Sequence, residues 1–251
     1  MAKNRIIRLS IISLSLLIMV TIFGGCASSK IETPTTAEGV FNAALMQFKD
    51  ENWQEAQRLF DIIKLQYPAT VFADDAQFYL AEINFKRKEY ILAAFNYNNV
   101  RRIYNRSEYS KEALYKTGLS YYMMSPTYDR DQENTLKAIQ VFSEFMAIYP
   151  GDTLATEAES KIIDLRNKLG EKEFQSGEIY RKLENLKSAL FYYNSVIDNY
   201  ADTEAAEAAF IAKMEVLKEI KKSQELKSTQ EVFEKTYPNT RFAKEYEAIK
   251  K

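Results

Sequence analysis

Hydrophobic residues recur along this chain in a repeating frame, and the offset between the first two copies is 37 positions. The aligned pairs are Phe48 and Phe85, Trp53 and Tyr90, Ala56 and Ala93, Phe60 and Tyr97, Ile63 and Val100, and Tyr67 and Tyr104. The frame continues at Ala138, Phe142, Phe145 and Tyr149, returns at Ala189, Tyr193, Val196 and Tyr200, and ends in a weaker copy at Leu226, Gln230, Phe233 and Tyr237. Self-similarity at such a period indicates stacked structural repeats.

Turn signals follow each copy at the same phase. They are Tyr67-Pro68-Ala69-Thr70, Tyr104-Asn105-Arg106-Ser107, Tyr149-Pro150-Gly151-Asp152, Tyr200-Ala201-Asp202-Thr203 and Tyr237-Pro238-Asn239-Thr240. Pro cannot continue a helix, and Thr, Ser or Asp can cap the next one. Each copy therefore predicts a helix, a tight turn, a second helix and a stop.

Small residues occupy one position of each first helix, namely Ala44, Ala81, Gly118 and Gly177. Together with the Ala and the aromatic residue of each second helix, they resemble the tetratricopeptide repeat. The resemblance implies an all-α, right-handed helical solenoid of about five helix pairs. Gly inside a helix costs about 1 kcal/mol relative to Ala, so we expect Gly118 and Gly177 to allow a close helix–helix contact.

The third copy departs from the frame in two places. Between Tyr122 and Ala138 it carries eight extra residues, among them Asp129, Arg130 and Asp131. Helix–helix connections longer than two to eight residues are often functional. Between Tyr149 and Gly177 an additional helix fits at about 154–169, and we expect it to continue, or nearly continue, into the fourth repeat.

The amino terminus has the pattern of an export signal. Lys3, Arg5 and Arg8 precede an apolar run over 9–23, and Gly24-Gly25-Cys26 follows. This arrangement is typical of a secretory signal peptide, and the run is shorter than the roughly 20 apolar residues of a membrane-spanning helix. Small residues before the only cysteine resemble the bacterial lipobox, which implies lipid attachment at Cys26. The alternative is an ordinary signal peptide with an unrelated cysteine.

These patterns predict four segments. Residues 1–25 are a lipoprotein signal peptide, 26–35 a flexible lipid-anchored linker, 36–153 the first three repeats, and 154–251 the connecting helix with repeats four and five. Ala27-Ser28 follows the cysteine, and no Asp is present there to indicate retention at the inner membrane. We therefore expect an outer-membrane, lipid-anchored protein that faces the periplasm.

Charge and composition exclude several classes of function. Without residues 1–25 the chain has 31 basic and 35 acidic residues, a net charge of −4, which argues against a nucleic-acid partner. His is absent from the whole sequence, which excludes Ser-His-Asp triads and histidine-ligated metals. With 7 glycines, no phosphate-binding loop can be assembled. The sequence therefore predicts no enzymatic activity and no cofactor.

From Cys26 to about Tyr246 the chain resembles the BamD family of outer-membrane assembly lipoproteins. The most specific stretch runs from Asp129-Arg130-Asp131-Gln132 into Ala138-Ile139-Gln140-Val141-Phe142-Ser143-Glu144-Phe145, and Asn52-Trp53-Gln54-Glu55-Ala56 matches the family's first repeat. The resemblance implies a subunit of the machine that inserts β-barrels into the outer membrane. Its partners there would be the POTRA domains of BamA, unfolded barrel precursors and further lipoproteins of the machine.

Specific contacts can also be assigned from the resemblance. Arg166 and Lys168 of the extra helix, together with Asp129, Arg130 and Asp131, are candidate partner-binding residues. A stack of helix pairs also leaves a concave groove in which an extended peptide can lie. Its candidate positions, expected opposite the packed faces of the helices, are Gln47, Asn84, Lys88 and Tyr121.

Other functions remain open on the sequence alone. The first alternative is another periplasmic tetratricopeptide lipoprotein, one that coordinates cell-wall synthesis with envelope constriction. A cell-wall glycosidase and a glycan-binding protein are further alternatives, and each named contact residue could instead belong to a solvated or packed helix face.

Overall fold

The computed structural model describes residues 34–251, and this part of the chain forms eleven α-helices. They are α1 (Ala37–Lys49), α2 (Trp53–Gln66), α3 (Ala73–Lys86), α4 (Tyr90–Ile103), α5 (Ser110–Met124), α6 (Glu133–Ile148), α7 (Thr153–Lys182), α8 (Leu186–Asn199), α9 (Glu204–Glu219), α10 (Ser223–Thr236) and α11 (Ala243–Lys250). The predicted signal peptide, Cys26 and the linker up to residue 33 lie outside the described residues.

Successive helices pack against each other as antiparallel neighbours. The pairs are α1–α2, α3–α4, α5–α6, the carboxy-terminal half of α7 with α8, and α9–α10, and α11 covers the last pair. The prediction of an all-α solenoid of about five tetratricopeptide-like helix pairs is confirmed. None of the described helices is both long enough and apolar enough to cross a membrane.

The small first-helix residues lie where the two helices of a pair approach most closely. A Cβ atom added to Gly118 would lie 2.8 Å from the ring of Phe142, and one added to Gly177 would lie 2.5 Å from the ring of Tyr193. The expected close contact is therefore confirmed, and in repeats three and four the aromatic ring fills the space that a side chain would occupy.

The core is a series of apolar clusters along the solenoid rather than one centre. Each second helix contributes at least one fully buried aromatic residue, and these are Phe60, Tyr97, Phe142 with Phe145, Tyr193 and Phe233. The half-buried ring of Tyr79 lies between repeats one and two, with ring centres 5.3 Å from Phe60 and 6.0 Å from Phe78. Such contacts join each repeat to its neighbour, as stacking in a solenoid requires.

The turn inside the first, second, fourth and fifth repeats has one recurring geometry. Glu51, Lys88, Glu184 and Lys221 all adopt positive φ, from 56° to 62°. The next residue then donates its backbone N–H to a carbonyl five positions earlier, as in Asn52 to Gln47 at 2.9 Å and Glu89 to Asn84 at 2.8 Å. This is the bonding of a helix C-cap that usually carries glycine, although no glycine is used here.

The expected extra helix is present as the first part of α7. This helix has 30 residues and runs without interruption into the first helix of the fourth repeat. The extra residues of the third copy form the connection between α5 and α6, and Lys172 of α7 donates to the carbonyl of Arg130 in this connection at 2.9 Å. The long helix therefore joins the third repeat to the fourth and holds the third repeat's loop.

The antiparallel pairs give the first three repeats two edges. We call proximal the edge with the turns that follow their second helices, at residues 67–72, 104–109 and 149–152, and it also carries the start of α1. We call distal the edge with the turns inside these pairs, at residues 50–52, 87–89 and 125–132. Repeats four and five are offset along α7, because its residues Arg166 and Lys172 contact the turn at Asp202 and the distal loop at Arg130.

Candidate polypeptide-binding surfaces

Gln47 and Asn84, two of the predicted groove residues, are buried at the distal ends of α1 and α3, with 8% and 6% of their surfaces exposed. Gln47 accepts from the amide of Asn52 at 2.7 Å, and Asn84 donates to Glu89 at 2.8 Å and accepts from Asn96 at 2.8 Å. The expectation that they lie opposite the packed faces is wrong, because these amides satisfy the polar groups of the adjacent turns. A peptide contact for either residue stays a prediction.

Lys88 and Tyr121, the other two predicted groove residues, lie near an apolar cleft at the distal edge. The cleft has a volume of about 260 Å³ and is lined by Lys88, Glu89, Tyr90, Ile91, Leu92 and Met124. Lys88 is exposed there, and Tyr121 lies one turn before Met124, with the Lys137 Nζ atom 5.8 Å from its ring centre. The cleft combines apolar walls with one cation and one carboxylate at its rim.

Large apolar side chains surround this cleft and are exposed to solvent. Exposed fractions are 70% for Ile91, 51% for Leu92, 60% for Phe95 and 47% for Met123. We call these four residues and Met124 the distal apolar patch. Contiguous exposed apolar surface on a protein marks a binding site more often than scattered apolar residues do.

The patch was not identified from the sequence, although the repeat frame contains its signal. Ile91, Leu92 and Phe95 of α4 align with Gln54, Glu55 and Arg58 of α2, at the offset of 37.

The connection between α5 and α6 presents the predicted partner-binding residues on an ordered loop. Asp129, Arg130 and Asp131 are all exposed. The Thr127 hydroxyl donates to Asp129 at 2.5 Å, and this hydrogen bond lowers the pKa of Asp129. Asp131 accepts from the backbone N–H of Glu133 at 3.0 Å. The side chain of Gln132 is buried and donates to the carbonyls of Thr127 and Arg130, so it holds the loop from inside. The Arg130 guanidinium has no ion pair within residues 34–251, so it is available to a partner.

Arg166 and Lys168, on α7, already have partners within the chain. The Arg166 guanidinium donates to both carboxylate oxygens of Asp202, at 2.6 and 2.5 Å, and to the carbonyl of Asn199 at 2.7 Å. These bonds raise the pKa of Arg166 and lower that of Asp202. The Lys168 Nζ atom lies 3.4 Å from the Ser125 hydroxyl and 5.6 Å from the ring centre of Tyr122. Of the two, Lys168 has the weaker internal contacts.

A second cleft, of about 440 Å³, lies at the proximal edge between the first two turns. Its lining residues are Val71, Phe72, Asp74, Asp75, Arg106 and Glu108. Burial raises the pKa of Asp75 to about 6, with further contributions from the negative charges of Asp74 and Glu108. Opposite charges share this cleft, since Arg106 stands beside three carboxylates.

No group of three or more His, Cys, Asp or Glu side chains within residues 34–251 is arranged to hold a metal ion. The features that this part of the molecule offers to a ligand are an apolar patch with a charged rim, an ordered loop with an exposed Arg, and a charged face on α7. Surfaces of this kind bind polypeptides through apolar anchors, and charged groups orient the partner.

Comparisons with known proteins identify relatives of this chain along most of its length. The relatives include the outer membrane protein assembly factor BamD of Rickettsia prowazekii, which is 25% identical over 230 residues, 91% of this chain and 92% of the relative. The assembly factors BamD of Neisseria meningitidis serogroup B and of Vibrio cholerae are 22% and 21% identical. They align with 86% and 88% of this chain, and with 85% and 97% of their own lengths.

The family model named YfiO, described as an outer membrane lipoprotein, matches residues 34–233. The match covers the solenoid from the start of α1 into α10, and therefore includes the distal apolar patch, the loop before α6 and the whole of α7. The family resemblance of the sequence is confirmed over the same region. The chain belongs to the YfiO family of outer-membrane lipoproteins, which includes the BamD assembly factors.

Proposed function

We propose that this protein is a lipid-anchored subunit of the outer-membrane β-barrel assembly machine, attached through Cys26 and facing the periplasm. The observation that carries the proposal is the family match over residues 34–233. Relatives that are named assembly factors also align with this chain along most of their lengths. It favours barrel assembly over a role in cell-wall synthesis. The role is that of a scaffold rather than an enzyme.

We assign the docking of BamA POTRA domains to the loop before α6 and to the carboxy-terminal half. The structure supports this with the ordered loop that presents Arg130 and with Lys168 on α7, two cations suited to an acidic partner surface. Exposed charge pairs contribute little affinity, but they accelerate and orient docking. Arg166 has a structural part in this assignment, because it holds α7 to the turn at Asp202.

We assign the reception of unfolded barrel precursors to the distal apolar patch. Ile91, Leu92 and Met124 line a cleft that can take an apolar or aromatic side chain of an extended peptide, while Lys88 and Glu89 stand at its rim. A peptide with alternating apolar residues would place only every second side chain against the patch. This is the chemistry of a β-strand that has not yet joined a barrel.

The test of membership is capture from detergent-solubilised envelope. We expect the tagged full-length chain to recover BamA, and a truncation from residue 205 to recover less of it while still fractionating with membranes. Recovery of wall-synthesis enzymes instead of BamA would contradict the proposal. Cys26→Ser should release the protein from membranes, and persistent membrane association would refute the anchor.

The patch can be tested by giving α4 the exposed residues of α2. The triple variant Ile91→Gln, Leu92→Glu, Phe95→Arg should fold normally, because these side chains are exposed. Its affinity for a fluorescent peptide copied from the carboxy-terminal strand of an outer-membrane barrel should fall by about tenfold or more.

The matched control for that variant is Phe191→Arg, because Phe191 occupies the corresponding position of α8 and is 68% exposed. It should bind the peptide as the unmodified chain does. Equal affinity of all three proteins would show that the patch is not the precursor site.

A further inference from the structure

A second set of aliphatic side chains is exposed, and it lies at the proximal edge of the first three repeats. The exposed fractions are 81% for Leu65, 80% for Val71, 62% for Ile103 and 49% for Ile148. Ile103 and Ile148 end second helices, Leu65 is the residue before the last one of α2, and Val71 lies in the turn after α2. In the fourth and fifth repeats the residues aligned with Ile103 and Ile148 are polar, namely Asn199 and Thr236. The aliphatic edge is therefore confined to the first three repeats.

The described chain begins at this same edge. The Tyr67 hydroxyl, in the turn after α2, donates to the carbonyl of Thr35 at 2.9 Å. Pro34 packs beside Gly39 in the first turn of α1, where an added Cβ atom would lie 2.8 Å from it. These contacts place Pro34 and Thr35 at the proximal edge of the first repeat.

The distance from this point to the proposed anchor is limited by the covalent chain. Cys26 precedes Pro34 by 8 residues, and a fully extended chain of that length reaches at most about 29 Å. If Cys26 carries lipid, the proximal edge of the first repeat cannot leave the membrane surface by more than that. A tether this short gives even a weak surface contact a high effective concentration.

We propose that the proximal edge of the first three repeats rests on the phospholipid bilayer, with Leu65, Val71, Ile103 and Ile148 in the headgroup layer. This inference rests on the lipid anchor of the proposed function. Apolar side chains at such depth contribute in proportion to the area they bury, and the tether supplies the rest of the attachment. Repeats four and five are offset from this edge along the 30-residue α7, which leaves that half free of the membrane.

The charges at the edge determine which kind of bilayer it fits. Arg102 and Arg106 form no ion pair in the described part of the chain, but Asp74, Asp75 and Glu108 lie close to Arg106. The edge is therefore not a cationic patch of the kind that selects anionic lipids. We expect the contact to form on zwitterionic lipid and to persist in high salt.

The consequence for the proposed function is an orientation. If the proximal edge lies on the bilayer, the distal apolar patch on the opposite edge faces the periplasm, where precursors arrive. One face of the solenoid would then hold the membrane while the other receives polypeptides.

The experiment uses the lipidated full-length protein in vesicles of the zwitterionic lipids phosphatidylethanolamine and phosphatidylcholine, at low and at high salt. Because lipid occupies Cys26, Val71→Cys and Ile103→Cys each supply one free thiol for an environment-sensitive dye. Lys221→Cys, in the turn inside the fifth pair and far from the proximal edge, is the control. We expect a blue shift and loss of emission by a lipid-borne quencher at 71 and 103, and neither at 221.

Each outcome has a distinct meaning. Protein that fails to stay with the vesicles refutes the anchor, and the edge contact with it. Protein that stays, but whose dyes at 71 and 221 respond alike, overturns the edge contact alone. A blue shift at 71 that appears without vesicles and grows with protein concentration would assign the edge to a second copy of this chain and overturn the membrane contact.

Discussion

The second helices of the first two repeats share a buried face and differ in their exposed face. Ala56, Phe60 and Ile63 of α2 and their counterparts Ala93, Tyr97 and Val100 of α4 are all fully buried. On the outside, α2 has Gln54, Glu55 and Arg58 where α4 has Ile91, Leu92 and Phe95.

The buried frame builds the solenoid, whereas the exposed positions are free to carry function, because they cost the fold little. A polar face is the ordinary state of an exposed helix surface. The departure in α4 therefore needs a reason outside the fold, and binding of a polypeptide supplies one. In the proposed function, the second repeat acquires its site through differences at three exposed positions, without any change in its packing.

The strongest test of this difference is to truncate aromatic residues on the buried faces of α2 and α4 and on the exposed face of α4. Phe60→Ala and Tyr97→Ala should each reduce the free energy of unfolding by about 3–5 kcal/mol, since each leaves a cavity in the core. Phe95→Ala, 60% exposed in the unmodified chain, should change it by no more than about 0.5 kcal/mol. Urea or thermal unfolding followed by circular dichroism measures all three. A large loss for Phe95→Ala would mean that the patch is part of the core.

The repeat frame was predictable because every copy must bury the same face. Helix order, the turns after each Tyr and the close contacts at Gly118 and Gly177 follow from residues that recur at fixed positions. The geometry of the turns inside the pairs was harder to predict. Glu51, Lys88, Glu184 and Lys221 adopt the left-handed conformation that glycine usually marks, so no residue type revealed it.

Site residues were harder to predict for a related reason. Gln47 and Asn84 are polar residues on first helices, and polarity alone suggested exposure. Their hydrogen bonds to Asn52, Glu89 and Asn96 depend on where the turn brings the next helix, which no local pattern reports. For Arg166, likewise, the sequence shows a cation on a helix, but not the carboxylate of Asp202, 36 positions away.

The first helices of the same two repeats extend the comparison to charge. Glu38 of α1 is exposed, whereas Asp75, at the aligned position of α3, is half-buried. The neighbours of Asp75 are the charged groups of Asp74, Glu108 and Arg106 and the rings of Tyr79 and Tyr109. Burial and the two carboxylates raise its pKa from 3.8 to about 6. Between these values the folded state binds more protons than the unfolded state, so stability falls as the pH rises through this window.

Asp75→Asn removes that dependence. After allowance for solvent screening of a half-buried group, the variant should be more stable by about 1 kcal/mol at neutral pH. Its advantage should shrink as the pH falls below 6 and vanish below pH 3.8, where the carboxyl is protonated in both states. Thermal unfolding across this range gives the measurement, and Glu38→Gln, at the aligned and exposed position of α1, is the control. A constant advantage for Asp75→Asn would show that its charge is not the cause.

The smallest expected effect concerns the face of α2 itself. Arg58 donates to both carboxylate oxygens of Glu55, at 2.8 and 2.6 Å, and this hydrogen bonding lowers the pKa of Glu55. Both groups are largely solvated and three residues apart on one helix, so Arg58→Ala should cost only about 0.3–0.5 kcal/mol. Because the pKa of Glu55 is lowered in the folded state, the contribution is present at neutral pH and is lost as acid protonates the carboxylate.

The same loss should disappear in about 1 M salt, where charges at the surface are screened. The stability of Phe95→Ala, at the position aligned with Arg58, should not change with salt. The effect of this variant should appear only in peptide binding. If Arg58→Ala instead destabilised the chain by more than about 1 kcal/mol, the polar face of α2 would be a structural requirement. The apolar face of α4 would then mark a repeat that lost a stabilising pair, and its exposed side chains would no longer by themselves indicate a ligand.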